Sequence, residues 1–98
     1  MLFRSGIAFP QPTIDVFFVV EEGAPRERVL EALAELRRAD IAADTDYAGR
    51  SFKGQLTQAG RSGAKTVVIV RGDEAAVRRE GTAEQVVALD ELVATLTA

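Results

Sequence analysis

Arg50, Lys53 and Gln55 fall close together in the segment Asp46-Tyr47-Ala48-Gly49-Arg50-Ser51-Phe52-Lys53-Gly54-Gln55-Leu56, and their types suit recognition of a polyanion. An arginine and a lysine donate charge-assisted hydrogen bonds to phosphate oxygens. A glutamine carries both a donor and an acceptor, so it can read the pairing edge of an unpaired base. If a helix begins near Ser51, its free backbone N–H groups and the positive end of its dipole add to the same anion site. The alternative is a solvated helix face, with the glutamine bonded to backbone. The residues alone leave both open.

Other chemistries are poorly served. The chain has no histidine and no cysteine, which removes the commonest general base, the commonest metal ligand and every disulfide. Gly60-Arg61-Ser62-Gly63-Ala64-Lys65-Thr66 superficially suggests a phosphate loop. Such a loop needs glycine directly before the lysine and must lead from strand into helix. Here Ala64 precedes Lys65 and the segment leads from helix to strand, so a plain turn is expected. Asp40, Asp44 and Asp46 lack the central glycine and closing glutamate of a calcium loop, and a solvated edge explains them better. Neither catalytic residues, a metal nor a cofactor is expected.

Charge is unevenly placed. The net charge of −3 argues mildly against nucleic acid, whose phosphates supply most sequence-independent affinity. Residues 50 to 79, however, carry seven basic side chains against Asp73 and Glu74, whereas the flanking stretches are acidic. The positive charge is concentrated in the middle third.

These residues need elements to hold them. Ninety-eight residues, 47 % of them hydrophobic, suit one soluble domain with one core. Residues 1–13, with Pro10 and Pro12, read as a lead-in, and 14–98 as the domain. Ile14 to Val20 is a β-branched and aromatic run suited to a strand covered on both faces. Arg26 to Arg38 places Val29, Leu30, Leu33 and Leu36 on one helical stripe, with Pro25 expected at the first helical position. A brief extended stretch, Ile41 to Asp46, precedes a turn at Tyr47-Ala48-Gly49 and a helix from about Ser51 to Arg61, with Ser51 as its cap. After a Ser62-Gly63 turn, Lys65 to Val70 reads as a second buried strand lying beside the first. Asp73 to Arg79 is expected to add a helical turn, Gln85 to Ala88 a short strand, and Asp90 to Leu96 a terminal helix capped by Asp90. Alternating strands and helices imply a three-layer α/β/α domain around a mixed, mainly parallel sheet of four or five strands. No window is apolar enough for a membrane helix, and Met1 to Phe9 lacks a signal-peptide layout, so a cytoplasmic location without membrane contact is expected.

With the elements in place, the segment from Asp46 to Leu56 resembles the strand-to-helix junction of the C-terminal anticodon-binding domain of histidyl-tRNA synthetases, where Gly-Arg-Ser leads to a basic residue and a glutamine. Gln58-Ala59, Gly63-Ala64, the apolar strand Val67 to Val70 and Asp73-Glu74 continue that pattern in order. Thr82-Ala83-Glu84-Gln85 is similar to the family's Thr-Gly-Glu-Gln turn, and Val87 to Leu92 to the entry of its terminal helix. Leu36-Arg37-Arg38-Ala39-Asp40-Ile41 is similar to its Leu-Arg-x-x-Gly-Ile helix end. The resemblance runs from about Ile14 to Leu96. Prolyl, threonyl and glycyl synthetases carry related domains, but the Gly-Arg-Ser-x-Lys-x-Gln order favours the histidyl type.

The resemblance implies a tRNA-binding role, with the anticodon stem-loop of a histidine-specific tRNA as partner and Arg50, Lys53, Gln55, Arg71 and Glu74 as candidate contacts. It also implies a class II catalytic core elsewhere in a parent ATP-dependent histidine–tRNA ligase. None of that core's motifs occurs here, so this chain alone is expected to be no enzyme. Three departures stand out. Arg71 replaces a glycine after the third strand, Asp40 replaces a helix-ending glycine, and the stretch from Ala75 to Gly81 is short enough to remove or shorten one strand. Asp40 is tolerable because Asp visits the left-handed region more easily than most residues. A regulatory or protein-interaction module that kept the fold and lost tRNA binding is the alternative.

Overall fold

The apolar run after Ile14 becomes the central strand of the sheet, because a chain hydrophobic at every position must be covered on both sides. The computed structural model describes residues 14–46 and 51–97. The expected lead-in, Arg50 and the turn expected at Tyr47-Ala48-Gly49 lie outside them.

The elements are β1 (Val16–Val20), α1 (Arg26–Arg38), β2 (Ala43–Thr45), α2 (Phe52–Ser62), β3 (Thr66–Arg71), β4 (Glu74–Arg79), β5 (Gln85–Ala88), a 3-10 turn (Leu89–Glu91) and α3 (Leu92–Thr97). They form one five-stranded sheet in the order β2-β1-β3-β4-β5. β1 is parallel to both β2 and β3, whereas β3 with β4 and β4 with β5 are antiparallel. Four strands thus share one direction and β4 alone runs against them, which is the mixed, mainly parallel sheet expected.

Alternation along β1 separates two cores. Val16 and Phe18 join Val68, Val70, Ala75 and Val77 under α1 (Val29, Ala32, Leu33, Leu36), with Leu89 and Leu92 completing that layer. Phe17, Val19, Ile69 and Ala76 face the other way, onto Ala59 of α2, with Phe52 and Leu56 beside it. The two helices therefore lie on opposite faces, giving the three layers. Leu30, expected on the α1 stripe, is 44 % exposed. The inward line runs through Val29, Ala32, Leu33 and Leu36, and Leu30 sits one residue, about 100°, around from Val29.

The helix ends are closed locally. α1 stops with Asp40 at φ 64, while the Asp40 N–H bonds the Arg37 carbonyl and the Ile41 N–H bonds the Leu36 carbonyl. This paired closure, with Ile41 packed on the same core as Leu36, is a Schellman end. Pro25 stands at the N-cap, one position before the helix, where its φ of −73° is still suitable. In α2 the Ser51 hydroxyl accepts the Gly54 N–H at 3.2 Å, and Gly63 ends the helix in the left-handed region.

Three expectations are corrected near the C-terminus. Asp73 to Arg79 forms no helical turn. The two-residue loop Gly72-Asp73, with Gly72 at φ 55, reverses the chain so that β4 pairs with β3 along its whole length, from Arg71↔Glu74 to Thr66↔Arg79. Ala, Glu and Arg favour helix intrinsically, but the sheet neighbour on each side of β4 decides otherwise. The same hairpin shows that the stretch from Ala75 to Gly81, expected to remove or shorten one strand, removes none: six residues form β4 and four form β5. Asp90 caps no helix, because it lies inside the 3-10 turn and pairs with Arg28 of α1.

Candidate nucleic-acid interface

A sheet of order β2-β1-β3 sends the chain one way from β1 to β2 and back across β1 to reach β3. The helices that make those crossings leave on opposite faces, and a crevice opens where they part, beyond the carboxyl end of β1. A cleft of about 730 Å³ occupies that point. One wall is the turn from Val20 to Ala24 with Arg26, and the other is the first turn of α2 with Ser51, Phe52 and Gln55. Gly23, at φ 87, lets the β1–α1 turn reverse sharply at the rim.

The electrostatics of the rim are mixed. Arg71, at the end of β3, pairs with Glu21 of the cleft wall, Nε to Oε2 at 3.0 Å, and both side chains are about half exposed. Arg26 donates from Nη2 to the Asp46 carbonyl at 3.3 Å. α2 has no acidic residue in its own first turn, and the carboxylates that line the cleft with it, Glu21 and Glu22, belong to the facing wall. The half-buried Phe52 opens an aromatic surface to the cleft.

The sequence-derived candidates are placed differently from one another. Lys53 is exposed in the first turn of α2, and Arg50 lies outside the described residues. Arg71 and Glu74 are exposed register partners on the α2 side of the sheet, at the cleft end. Arg71 needs no glycine-like backbone, since the positive φ falls one residue later, at Gly72. Gln55 is buried, and its amide turns inward: Oε1 accepts the Val20 N–H at 2.7 Å and Nε2 donates to the Val20 carbonyl at 2.9 Å. That is the backbone-bonded alternative, and it holds the amide away from a base edge. Phe52, Glu21 and Arg26 also line the cleft, and the residue order alone does not single them out. Their signal was position alone, since each sits just after a strand end or at a helix start in an α/β chain.

The fold also divides the basic middle third. Lys53 and Arg71 lie at the cleft end, whereas Arg61 in the last turn of α2, Lys65 before β3 and Arg79 at the end of β4 lie at the opposite end of the sheet. Arg78 pairs with Glu84 at 2.6 Å. Among the described residues no group of three or more carboxylates is arranged to hold a metal ion, and no helix is long and apolar enough to cross a membrane.

The sequence profile of the family described as "Anticodon binding domain" matches residues 15–98. The chain belongs to the anticodon binding domain family. Its relatives include the histidine–tRNA ligase of Symbiobacterium thermophilum, 38 % identical over 106 residues that cover 98 % of this chain and 24 % of that protein. The histidine–tRNA ligase of Syntrophomonas wolfei is 46 % identical over 66 residues, covering 67 % of this chain and 16 % of that protein. Among solved structures, apo histidyl-tRNA synthetase of S. aureus superposes with a TM-score of 0.76 at 29 % identity, over 95 % of this chain and 26 % of that one. This anticodon binding domain therefore spans about a quarter of the relatives it matches, or less. The resemblance read from residues 46–56 holds, in both the family and its histidyl type.

Proposed function

We propose that this domain binds the anticodon stem-loop of a histidine-specific tRNA in the cytoplasm. There it contributes tRNA selection to histidine–tRNA ligation, whose chemistry belongs to the catalytic core of a larger ligase. The observation that supports this most is the position of the cleft in a member of the anticodon binding domain family. It lies at the sheet's switch point, with the N-terminus of α2, which carries no acid in its own first turn, and the Lys53 ammonium at one side. In this reading Lys53 and Arg50 meet backbone phosphates of the loop, and Phe52 offers a stacking surface to an unpaired base, a contact worth about 1–3 kcal/mol per base. Arg71 exchanges Glu21 for a phosphate, and Glu74 accepts from a base amine at the rim.

Stem-loops sharing one stem but carrying the histidine anticodon or a permuted one provide the test. Fluorescence anisotropy is expected to show tighter binding of the histidine anticodon by at least about tenfold, roughly the cost of one mispaired contact in a specific interface. Equal affinities would remove anticodon selection and leave only backbone attraction. No affinity for either would favour a module that kept the fold without its RNA.

A further inference from the structure

The inward-turned amide of Gln55 has a specific partner in the sheet. Along β1 the backbone groups alternate in direction. Glu21 N–H donates to Val70 and the Asp15 carbonyl accepts from Thr66, so from the Asp15 carbonyl onward the odd residues serve β3. The Asp15 N–H, ahead of the strand, bonds the Ala42 carbonyl. Val16 N–H donates to Ala42, and the Phe18 carbonyl accepts from the Thr45 hydroxyl, so the even residues serve the β2 side. By this alternation the N–H and carbonyl of Val20 point toward β2. But β2 ends at Thr45, opposite Phe18, and the Asp46 carbonyl that follows is held by Arg26. Val20 would be left with two unpaired backbone groups at the floor of the cleft, a costly arrangement for half-buried backbone.

We infer that Gln55 is a positioning residue: its amide replaces the peptide group that a longer β2 would offer Val20, and so latches the first turn of α2 to the end of β1. A primary amide presents the same N–H and C=O pair as a peptide, and both contacts are short, at 2.7 and 2.9 Å across 35 residues of sequence. The latch extends through the turn itself. Gln55 N–H bonds the Ser51 carbonyl at 2.9 Å and Gly54 N–H bonds the Ser51 hydroxyl. Fixing Gln55 therefore fixes Ser51, Phe52 and Lys53 against the opposite wall, and the width of the cleft with them. The early end of β2 makes room for the cleft, and Gln55 closes the sheet beneath it. The consequence for RNA rests on the proposed function; the latch itself does not.

Gln55→Glu separates the latch from general packing. A carboxylate accepts from the Val20 N–H but cannot donate to its carbonyl, whereas a protonated carboxyl of the same shape does both. Burial against a carbonyl raises the carboxyl pKa above its ordinary value near 4.3, so acidification to about pH 4 restores the donor. The expected result at neutral pH is a roughly tenfold loss in hydrogen-exchange protection of the Val20 amide and a loss of affinity for anticodon stem-loop RNA of several fold. Both recover at about pH 4, after division by the same ratios for the unmodified domain. Protection at Val68, in the core of β3, serves as the internal reference for global unfolding. Gln55→Asn, neutral but one methylene shorter, is expected to lose Val20 protection at both pH values. Unchanged Val20 protection in Gln55→Glu, or a loss that acid does not reverse, overturns the latch. Loss of protection with RNA affinity intact overturns the positioning role. An unmodified domain that binds no RNA sinks the proposed function, and Val20 protection alone then decides the latch.

Discussion

Asp40 carries a left-handed φ of 64° that glycine adopts freely and other L-residues adopt at a cost. It is exposed, and its backbone bond to Arg37 does not involve the side chain. Asp40→Gly is therefore expected to raise stability by about 0.5–1 kcal/mol, seen as a higher urea midpoint at unchanged slope; a lower midpoint would show that the aspartate contributes something the backbone does not. Lys53 is the described residue on which the phosphate reading most depends. Lys53→Glu is expected to weaken stem-loop binding and to flatten the dependence of log K on log salt by about 0.7, the contribution of one phosphate contact to a single strand. Arg38→Glu, on the acidic first half, is the control. Arg37 is unsuitable for that purpose, since its Nε holds the Ala43 carbonyl and its Nη2 faces Asp44 at 3.5 Å. The Ser51 cap and the place of Lys53 in the first turn of α2 were readable from residue order. The role of Gln55 was not, because a buried amide bonded to a strand end and an exposed one reading a base have the same letter and the same spacing.

The elements that could be read directly were those whose burial pattern leaves one solution. β1 and β3 are apolar at successive positions and must be central, and α1 repeats its apolar residues at helical spacing and ends where its stripe ends. β4 was not legible, because Glu-Ala-Ala-Val-Arg-Arg favours helix by intrinsic propensity and becomes a strand only through β3 and β5 on either side. Ile69 tests the arrangement at this scale. It lies at the centre of β3 with no exposed surface, paired with Val19 on one side and Ala76 on the other. Ile69→Ala is expected to cost about 2–5 kcal/mol from lost transfer energy and the cavity left behind. A change below about 0.5 kcal/mol in denaturant unfolding would contradict a three-layer core.

For the whole molecule, the net charge of −3 is a poor guide to its partner, because folding sorts the charge. The acidic β1–α1 turn and the basic start of α2 face each other across one cleft, while part of the basic middle third is carried to the far end of the sheet. The division into ends follows from the crossover topology, which no local stretch of sequence states. The purified domain is expected to support no histidine-dependent exchange of pyrophosphate into ATP, since the family match covers anticodon-binding residues alone; measurable exchange would contradict that assignment. In the proposed function RNA is held at the cleft end of the sheet. That placement is tested most directly by titrating the ¹⁵N-labelled domain with the histidine anticodon stem-loop and following backbone amide shifts. Saturable shifts are expected, confined to Val20 through Ala24, Arg50 through Gln55, Arg71 and Glu74. Shifts centred instead on Arg61, Lys65 and Arg79, or no shifts at stem-loop excess, would contradict it.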